Sequence, residues 1–286
     1  MGEMSGLSAD EKRDWERDGY LVREGIFSAG ENNALRQVAE DIVAGRRKMP
    51  LVHIDRNALV RDGKEVRKGI YGMHKIHFPA CYITEFLARV RDTRLTDPVA
   101  DLLGPDILGI NNAFIWKAPE IGLGFPWHQD KFYFRKRFKT ETTIGTWTAF
   151  DAADRDNGCL YVIPGSHKRD ISEHEDIVGS QQGEFKLARD ARDEDGIAIE
   201  APPGAVIWFH SHLLHKSTDN HSKRFRRSFV SHYLCAQAEW ANGPGRGQPV
   251  MWVQGTTFPG KVEEVEWDVL PAVDSEFTRA DPTRCA

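Results

Sequence analysis

Trp127-His128-Gln129-Asp130 sets an imidazole and a carboxylate two residues apart. In an extended segment the side chains at i and i+2 point to one face, so a single metal ion can take both. A third ligand must come from elsewhere, again from a β-type region. His210, His212, His215 and His221 are the downstream candidates. His215 is the best placed, because it follows the apolar run Ala205 to Phe209 and precedes Ser217 and a basic cluster, whereas His210 and His212 come before the turn that delivers it. Two histidines and one carboxylate on one face of an octahedron leave three positions open, the arrangement of non-haem Fe(II) oxygenases. A bidentate co-substrate takes two of those positions and O2 the third. A four-ligand structural zinc site would leave none. A His-x-Asp pair alone is a common coincidence, so linked signals are needed.

Ligands this far apart in sequence must be held by a sheet. From Ile107 onward short β-type runs alternate with turns: Ile107 to Trp116, Thr142 to Phe150, Cys159 to Ile163, Ile197 to Glu200, Ala205 to Phe209 and Arg227 to Cys235. Asp156-Asn157-Gly158, Pro164-Gly165-Ser166 and Pro202-Pro203-Gly204 supply the reversals. Many short strands without long helices between them predict an antiparallel jelly roll, mostly β, with helices packed on one side. The first hundred residues read as those helices. Ser8-Ala9-Asp10-Glu11 and Ser28-Ala29-Gly30-Glu31 are capping boxes. Leu35, Val38, Ala39, Ile42 and Val43 then form one apolar stripe that Gly45 ends, and Asp97-Pro98 signals a third helix that stops at Gly104-Pro105. The charged stretch 172–195 reads as an insertion or lid. We expect one domain over 1–286, with a mainly helical buttress over 1–105 and a jelly-roll core over 106–255.

Composition bounds the function. An apolar fraction of 40% with 15 Phe and 8 Trp supports a sizeable core. A net charge of −5 makes no case for nucleic acid, whose binders present a basic face, and the run Arg135-Lys136-Arg137-Phe138-Lys139 reads as solvated surface. Cys81, Cys159, Cys235 and Cys285 are scattered, which argues against a zinc ribbon or a disulfide scaffold and fits a reducing cytoplasm. The polar N-terminus lacks the apolar core of a signal peptide, and no apolar run approaches the roughly 20 residues of a membrane span. A cytoplasmic enzyme acting on a small molecule is expected, without nucleic acid or membrane as a partner.

The linked motifs then add up. Trp127 to Asp130, Trp147-Thr148-Ala149-Phe150, Arg155 to Leu160, Ile163-Pro164-Gly165-Ser166-His167-Lys168 and His215-Lys216-Ser217 through Asn220 to Arg226 resemble the phytanoyl-CoA dioxygenase family, in unbroken order from about Lys75 to Tyr233. The resemblance implies a double-stranded β-helix, Fe(II) held by His128, Asp130 and His215, and 2-oxoglutarate as co-substrate. It puts the far carboxylate of 2-oxoglutarate on Arg226, with Ser217 beside it, and brings Trp147 and Lys75 next to the same molecule. A guanidinium suits that role, since it gives a carboxylate two parallel charge-assisted hydrogen bonds where Lys gives a point charge. Arg224 and Arg227 compete for it. If 226–232 is a strand, Arg226, Ser228, Val230 and His232 share a face and Arg227 points away, and a slip of one residue reverses this. Lys131, Phe132, Tyr133 and Phe134 follow the ligands closely enough to line a substrate pocket.

What the resemblance implies chemically is oxidative decarboxylation of 2-oxoglutarate to succinate and CO2, coupled to hydroxylation of a C–H bond. The small molecule oxidised would be a natural-product or other secondary-metabolite intermediate. Desaturation, epoxidation or ring formation is the alternative outcome at the same centre. Halogenating relatives replace the carboxylate ligand with a small residue, and Asp130 argues against that branch. A cupin-like metal-dependent isomerase or lyase is the rival of a different class. Arg226 and Ser217 separate the two, because the rival needs no anion clamp.

Overall fold

The computed structural model describes residues 6–50, 53–139, 142–177, 185–239, 241 and 249–256. Helix α1 (Ala9–Asp18) and helix α2 (Ala29–Val43) both open on the capping boxes. Ser8 and Ser28 accept from the Glu11 and Glu31 amides, and each Glu carboxylate returns a bond to the cap backbone. Past the end of α2, Gly45 takes φ 72°. Its N–H reaches Ile42 O and that of Arg46 reaches Asp41 O, which satisfies carbonyls that would otherwise be orphaned. Three shorter helices, α3 (Ala58–Arg61), α4 (Thr84–Val90) and α6 (Asp130–Phe134), flank the longer α5 (Thr93–Leu103).

Helix α5 begins four residues before the expected Asp97-Pro98 start, and Pro98 lies inside it. Asp92 accounts for the shift: it accepts from the Arg94 amide as an N-cap and also pairs with the Arg94 guanidinium, which reaches on to Glu31 and Ile26 O. The proline then costs only one backbone bond near the helix start.

The stretch 1–105 is mainly helical but also contributes to the sheet. Strands β1 (Tyr20–Arg23), β2 (Ile54–Arg56) and β3 (Met73–His77) lie in that stretch and join the large sheet. Their short, polar-rich runs show no alternation in sequence; their partners define them, Leu21 opposite Trp208 and Ile76 opposite Phe114.

The remaining strands are β4 (Ile107–Lys117), β5 (Phe125–His128), β6 (Thr143–Ala149), β7 (Leu160–Val162), β8 (His174–Asp176), β9 (Lys186–Ala188), β10 (Ile197–Ile199), β11 (Val206–His210), β12 (His215–Ser217), β13 (Arg226–Cys235) and β14 (Met251–Gln254). A large antiparallel sheet runs β1-β11-β6-β13-β4-β3-β2, with β14 also on β4, and a second sheet runs β10-β7-β12-β5. Together they form the jelly roll.

Both faces of the large sheet are covered, which is why β4 and β6 are buried along almost their whole length. On one face Phe114, Trp116, Trp208 and Phe229 pack with Leu35, Ala39, Phe86, Val90, Leu95 and Val99 of the helices. On the other, Trp147, Ile207 and Phe209 meet Leu160, Val162 and Ile199 of the smaller sheet. The inner face also carries the chemistry.

Within 172–195 the described residues include the hairpin β8-β9, and 178–184 lie outside the described residues. Among the described residues Cys159 and Cys235 are free thiols. Among the described residues no helix is long and apolar enough to cross a membrane.

Candidate metal centre and co-substrate pocket

Strands β5 and β12 pair so that His128 and His215 are direct cross-strand partners. Their rings lie 4.2 Å apart, as expected for residues opposite one another on one face. Asp130 does not continue β5 but opens α6. It still turns to the same side, because the one intervening residue, Gln129, is extended at φ −118°, ψ 128°. Asp130 Oδ1 is 3.6 Å from His128 Nε2 and 3.8 Å from His215 Nε2. One ligand atom from each of the three residues falls within 4.8 Å of the others.

The protonation pattern suits a cation. His128 Nδ1 is 2.7 Å from Pro126 O and His215 Nδ1 is 2.9 Å from Leu213 O. Each Nδ1–H donates to a carbonyl, which leaves both Nε2 lone pairs facing Asp130. Burial, helped by His215, pushes the His128 imidazole down to about 3, so it is neutral near pH 7. Burial opposes the charge on Asp130, but His232, His215 and His128 outweigh it and hold the carboxyl below its usual range. The result is a neutral His128 imidazole, a second imidazole nitrogen on His215 turned to the same point and one carboxylate, a donor set for a divalent metal. The rival histidines lie elsewhere: His210 Nδ1 accepts the His212 amide and its ring sits by Trp15 and His167, while His221 is exposed.

Strand β13 begins at Arg226, opposite Lys117 of β4, and Ser228, Val230 and His232 follow on the same side, each facing a residue of β4. Arg227 points the other way and pairs with Asp151 at 2.7 Å and Glu40 at 3.0 Å. Arg226 is 1% exposed; Nη1 donates to Ser228 Oγ at 2.9 Å and Nε meets no partner. Burial pushes the guanidinium down to about 10. A buried cation without a carboxylate is costly, and an incoming carboxylate would repair it. Trp147 lies beside it, its ring 5.6 Å from Cζ.

Lys117 went unrecognised in the sequence, where the expected strand stopped at Trp116. It is fully buried, and its Nζ donates to Ser217 Oγ at 2.7 Å and to Thr218 O. Burial and the nearby Arg226 push its ammonium well below the ordinary lysine value. Ser217 Oγ accepts from Lys117, so its own proton is left to give. Gly158, in the predicted Asn157-Gly158 turn, has φ 89° and permits this closeness, since a Cβ there would collide with the Thr218 carbonyl and lie 3.0 Å from Lys117 Nζ.

Lys75 reaches the inner face from strand β3 rather than from a helix, opposite Ile115, and its Nζ lies 5.0 Å from the Phe185 ring. Phe185 follows the undescribed 178–184 and packs against His128, Tyr133 and Phe125. The four residues after Asp130 diverge. Tyr133 is edge-on to His128 at 6.0 Å, its hydroxyl accepts from the Lys186 amide, and burial pushes it up to about 12. Phe132 stacks on His174 of the hairpin at 4.1 Å. Lys131 is buried, with its amide on Ser211 O. Phe134 turns into a core cluster with Ile110, Phe138 and Leu234, so it is core rather than pocket wall.

Residues 15–228 match the model of the phytanoyl-CoA dioxygenase (PhyH) family. A probable phytanoyl-CoA dioxygenase of Caenorhabditis elegans is 30% identical over 285 residues, covering 92% of this chain and 84% of the relative. A probable alpha-ketoglutarate-dependent hypophosphite dioxygenase of Stutzerimonas stutzeri is 26% identical, covering 90% of each. Among solved structures, EctD from S. alaskensis with 2-oxoglutarate and 5-hydroxyectoine superposes with TM-score 0.68 at 21% identity, over 91% of this chain and 88% of that one. With the fold, the motif order and a family match over most of its length in agreement, the chain belongs to the phytanoyl-CoA dioxygenase family.

Proposed function

We propose that this protein is an Fe(II)- and 2-oxoglutarate-dependent oxygenase, working as a single domain, that hydroxylates an unactivated C–H bond of a small molecule and releases succinate and CO2. The observation that carries the reading is Arg226: a buried guanidinium with an unpartnered Nε, on the same sheet face as the residue that touches Asp130. A cupin-like isomerase has no use for such a charge.

His128, Asp130 and His215 would hold the iron, and Arg226 with Ser217 would hold the far carboxylate of 2-oxoglutarate, with Trp147 against its chain. When bound, Fe(II) with 2-oxoglutarate and O2 supplies the oxidising chemistry, coupling decarboxylation of the co-substrate to oxygen insertion. The chain's own work is orientation and exclusion of water. Nδ1 hydrogen bonds to Pro126 and Leu213 fix both imidazole planes. Lys117 holds the Ser217 hydroxyl in place from behind. Phe125, Tyr133 and Phe185 close an aromatic wall beside His128, and Lys75 stands over Phe185. The hairpin β8-β9 then acts as the lid.

The test is co-substrate turnover without a prime substrate. Protein given Fe(II), ascorbate and 2-oxoglutarate should form succinate slowly, and His128→Ala should not. Succinate formation at the same rate in His128→Ala, or none from the wild type with any of a panel of natural-product scaffolds, would refute the reading.

A further inference from the structure

Strand β13 carries a second buried polar residue on its inner face. His232 Nε2 lies 2.7 Å from Asp130 Oδ2, and its Nδ1 lies 3.2 Å from Asn111 Nδ2. Asn111 and His232 are cross-strand partners, so the sheet register itself aligns the three groups. With Nε2–H donating to the carboxylate, Nδ1 is left to accept from the Asn111 amide. The rings of Phe134 at 5.1 Å and Phe209 at 6.0 Å, both edge-on, clamp the imidazole plane. Beyond His232 the register shifts by a bulge, and Tyr233 sends its hydroxyl to Val90 O on the helical side.

We infer that His232 is a positioning residue which, braced by Asn111, ties up Asp130 Oδ2 so that the carboxylate meets the metal through Oδ1 alone. The inference rests on the reading of His128, Asp130 and His215 as the ligands. Its consequence is a count of coordination positions. Oδ1 already faces both Nε2 atoms, at 3.6 and 3.8 Å, while Oδ2 faces His232. A carboxylate free to rotate could bind through both oxygens and take a fourth position of the octahedron. Two positions would then remain, enough for a chelating 2-oxo acid but with none for O2. His232 thus keeps the third position open, and one face of one strand carries both the co-substrate clamp, Arg226, and the brace for the carboxylate.

The experiment is Mn(II) titration of the metal-free protein by calorimetry, with wild type, His232→Phe, His232→Gln, Asn111→Ala and His128→Ala compared. The second readout is the visible absorption of the anaerobic Fe(II) and 2-oxoglutarate complex. Outer hydrogen-bond partners of metal ligands typically carry 10–100-fold in affinity, so His232→Phe should weaken Mn(II) by roughly that factor and shift the band. His232→Gln, whose amide still donates, should recover part of the loss. Asn111→Ala, which leaves the ring in place, should lose about threefold or more. A folded His232→Phe with wild-type affinity and an unshifted band overturns the inference. Should that variant fail to fold, Asn111→Ala decides: wild-type affinity there overturns it equally. Tight Mn(II) binding by His128→Ala overturns both this inference and the ligand reading beneath it, whereas loss in His128→Ala with none in His232→Phe overturns this one alone.

Discussion

Arg226 and Arg227 are neighbours in sequence with opposite fates, and the difference can be measured. Arg227 meets Asp151 and Glu40 on the helical side of the sheet. Arg227→Ala should therefore lower stability, by about 3 kcal/mol in urea unfolding, by stranding a half-buried carboxylate. It should leave the KM for 2-oxoglutarate near the wild-type value. Arg226→Lys should do the reverse: a charge-assisted bond carries about 1.5–3 kcal/mol, so loss of the fork should raise that KM by roughly tenfold to a hundredfold with little change in stability. Equal KM effects from the two variants would contradict the assignment. This pair was legible in sequence because strand alternation is strict, and only the register had to be supplied. Lys117 was not legible, because nothing local marks a lysine at a strand end as buried. Its meaning comes from pairing with Arg226 and from Ser217 a hundred residues away.

At the scale of elements, local signals were read well and long-range ones poorly. Ser8 and Ser28 announce α1 and α2 through bonds that span three residues. Strands β1, β2 and β3 have no such signature, since their identity lies in distant partners. Asp130 belongs to the same lesson: the two-residue spacing held, but the strand expected to enforce it ends at His128. Gln129, between the two ligands, was passed over and has a structural task. Fully buried, it donates to His212 O at 2.8 Å, accepts from the Ser172 amide at 2.8 Å and gives its own amide to His174. It therefore anchors the start of 172–195 to the metal-binding segment. Gln129→Ala would leave the buried Ser172 amide unpaired, at about 1–3 kcal/mol, and the half-buried His212 carbonyl without its donor. Trypsin should then cut faster within 172–195, at Lys186, Arg189 or Arg192, in a timed digest. An unchanged digestion rate would show that the hairpin holds without this anchor.

For the whole molecule, the jelly roll with helices on one side was readable because short β-type runs separated by turns follow Ile107 with no long helix between them, and β4, β6 and β11 are buried on both faces between two cores. Packing of this kind also sets how the protein answers acid. His74 and His210 lie far apart in the chain, one on β3 and one at the end of β11. Burial, with Lys75 and His212 as the next contributors respectively, pushes each from 6.5 down to about 3. An unfolded chain takes up both protons near 6.5, whereas the folded chain resists until about 3. Between those limits the unfolded state binds more protons, so stability must fall as pH falls, and it is fully present only above the unfolded value. The melting temperature of the metal-free protein should be level from about pH 8 to about pH 7 and then decline steadily toward about pH 4.5. Substituting both residues, His74→Gln with His210→Gln, removes two of the contributing groups and should make that limb shallower, with His128 left to supply part of it, even if the plateau itself is lower. An acid limb as steep in the double variant as in the wild type would place the proton uptake elsewhere.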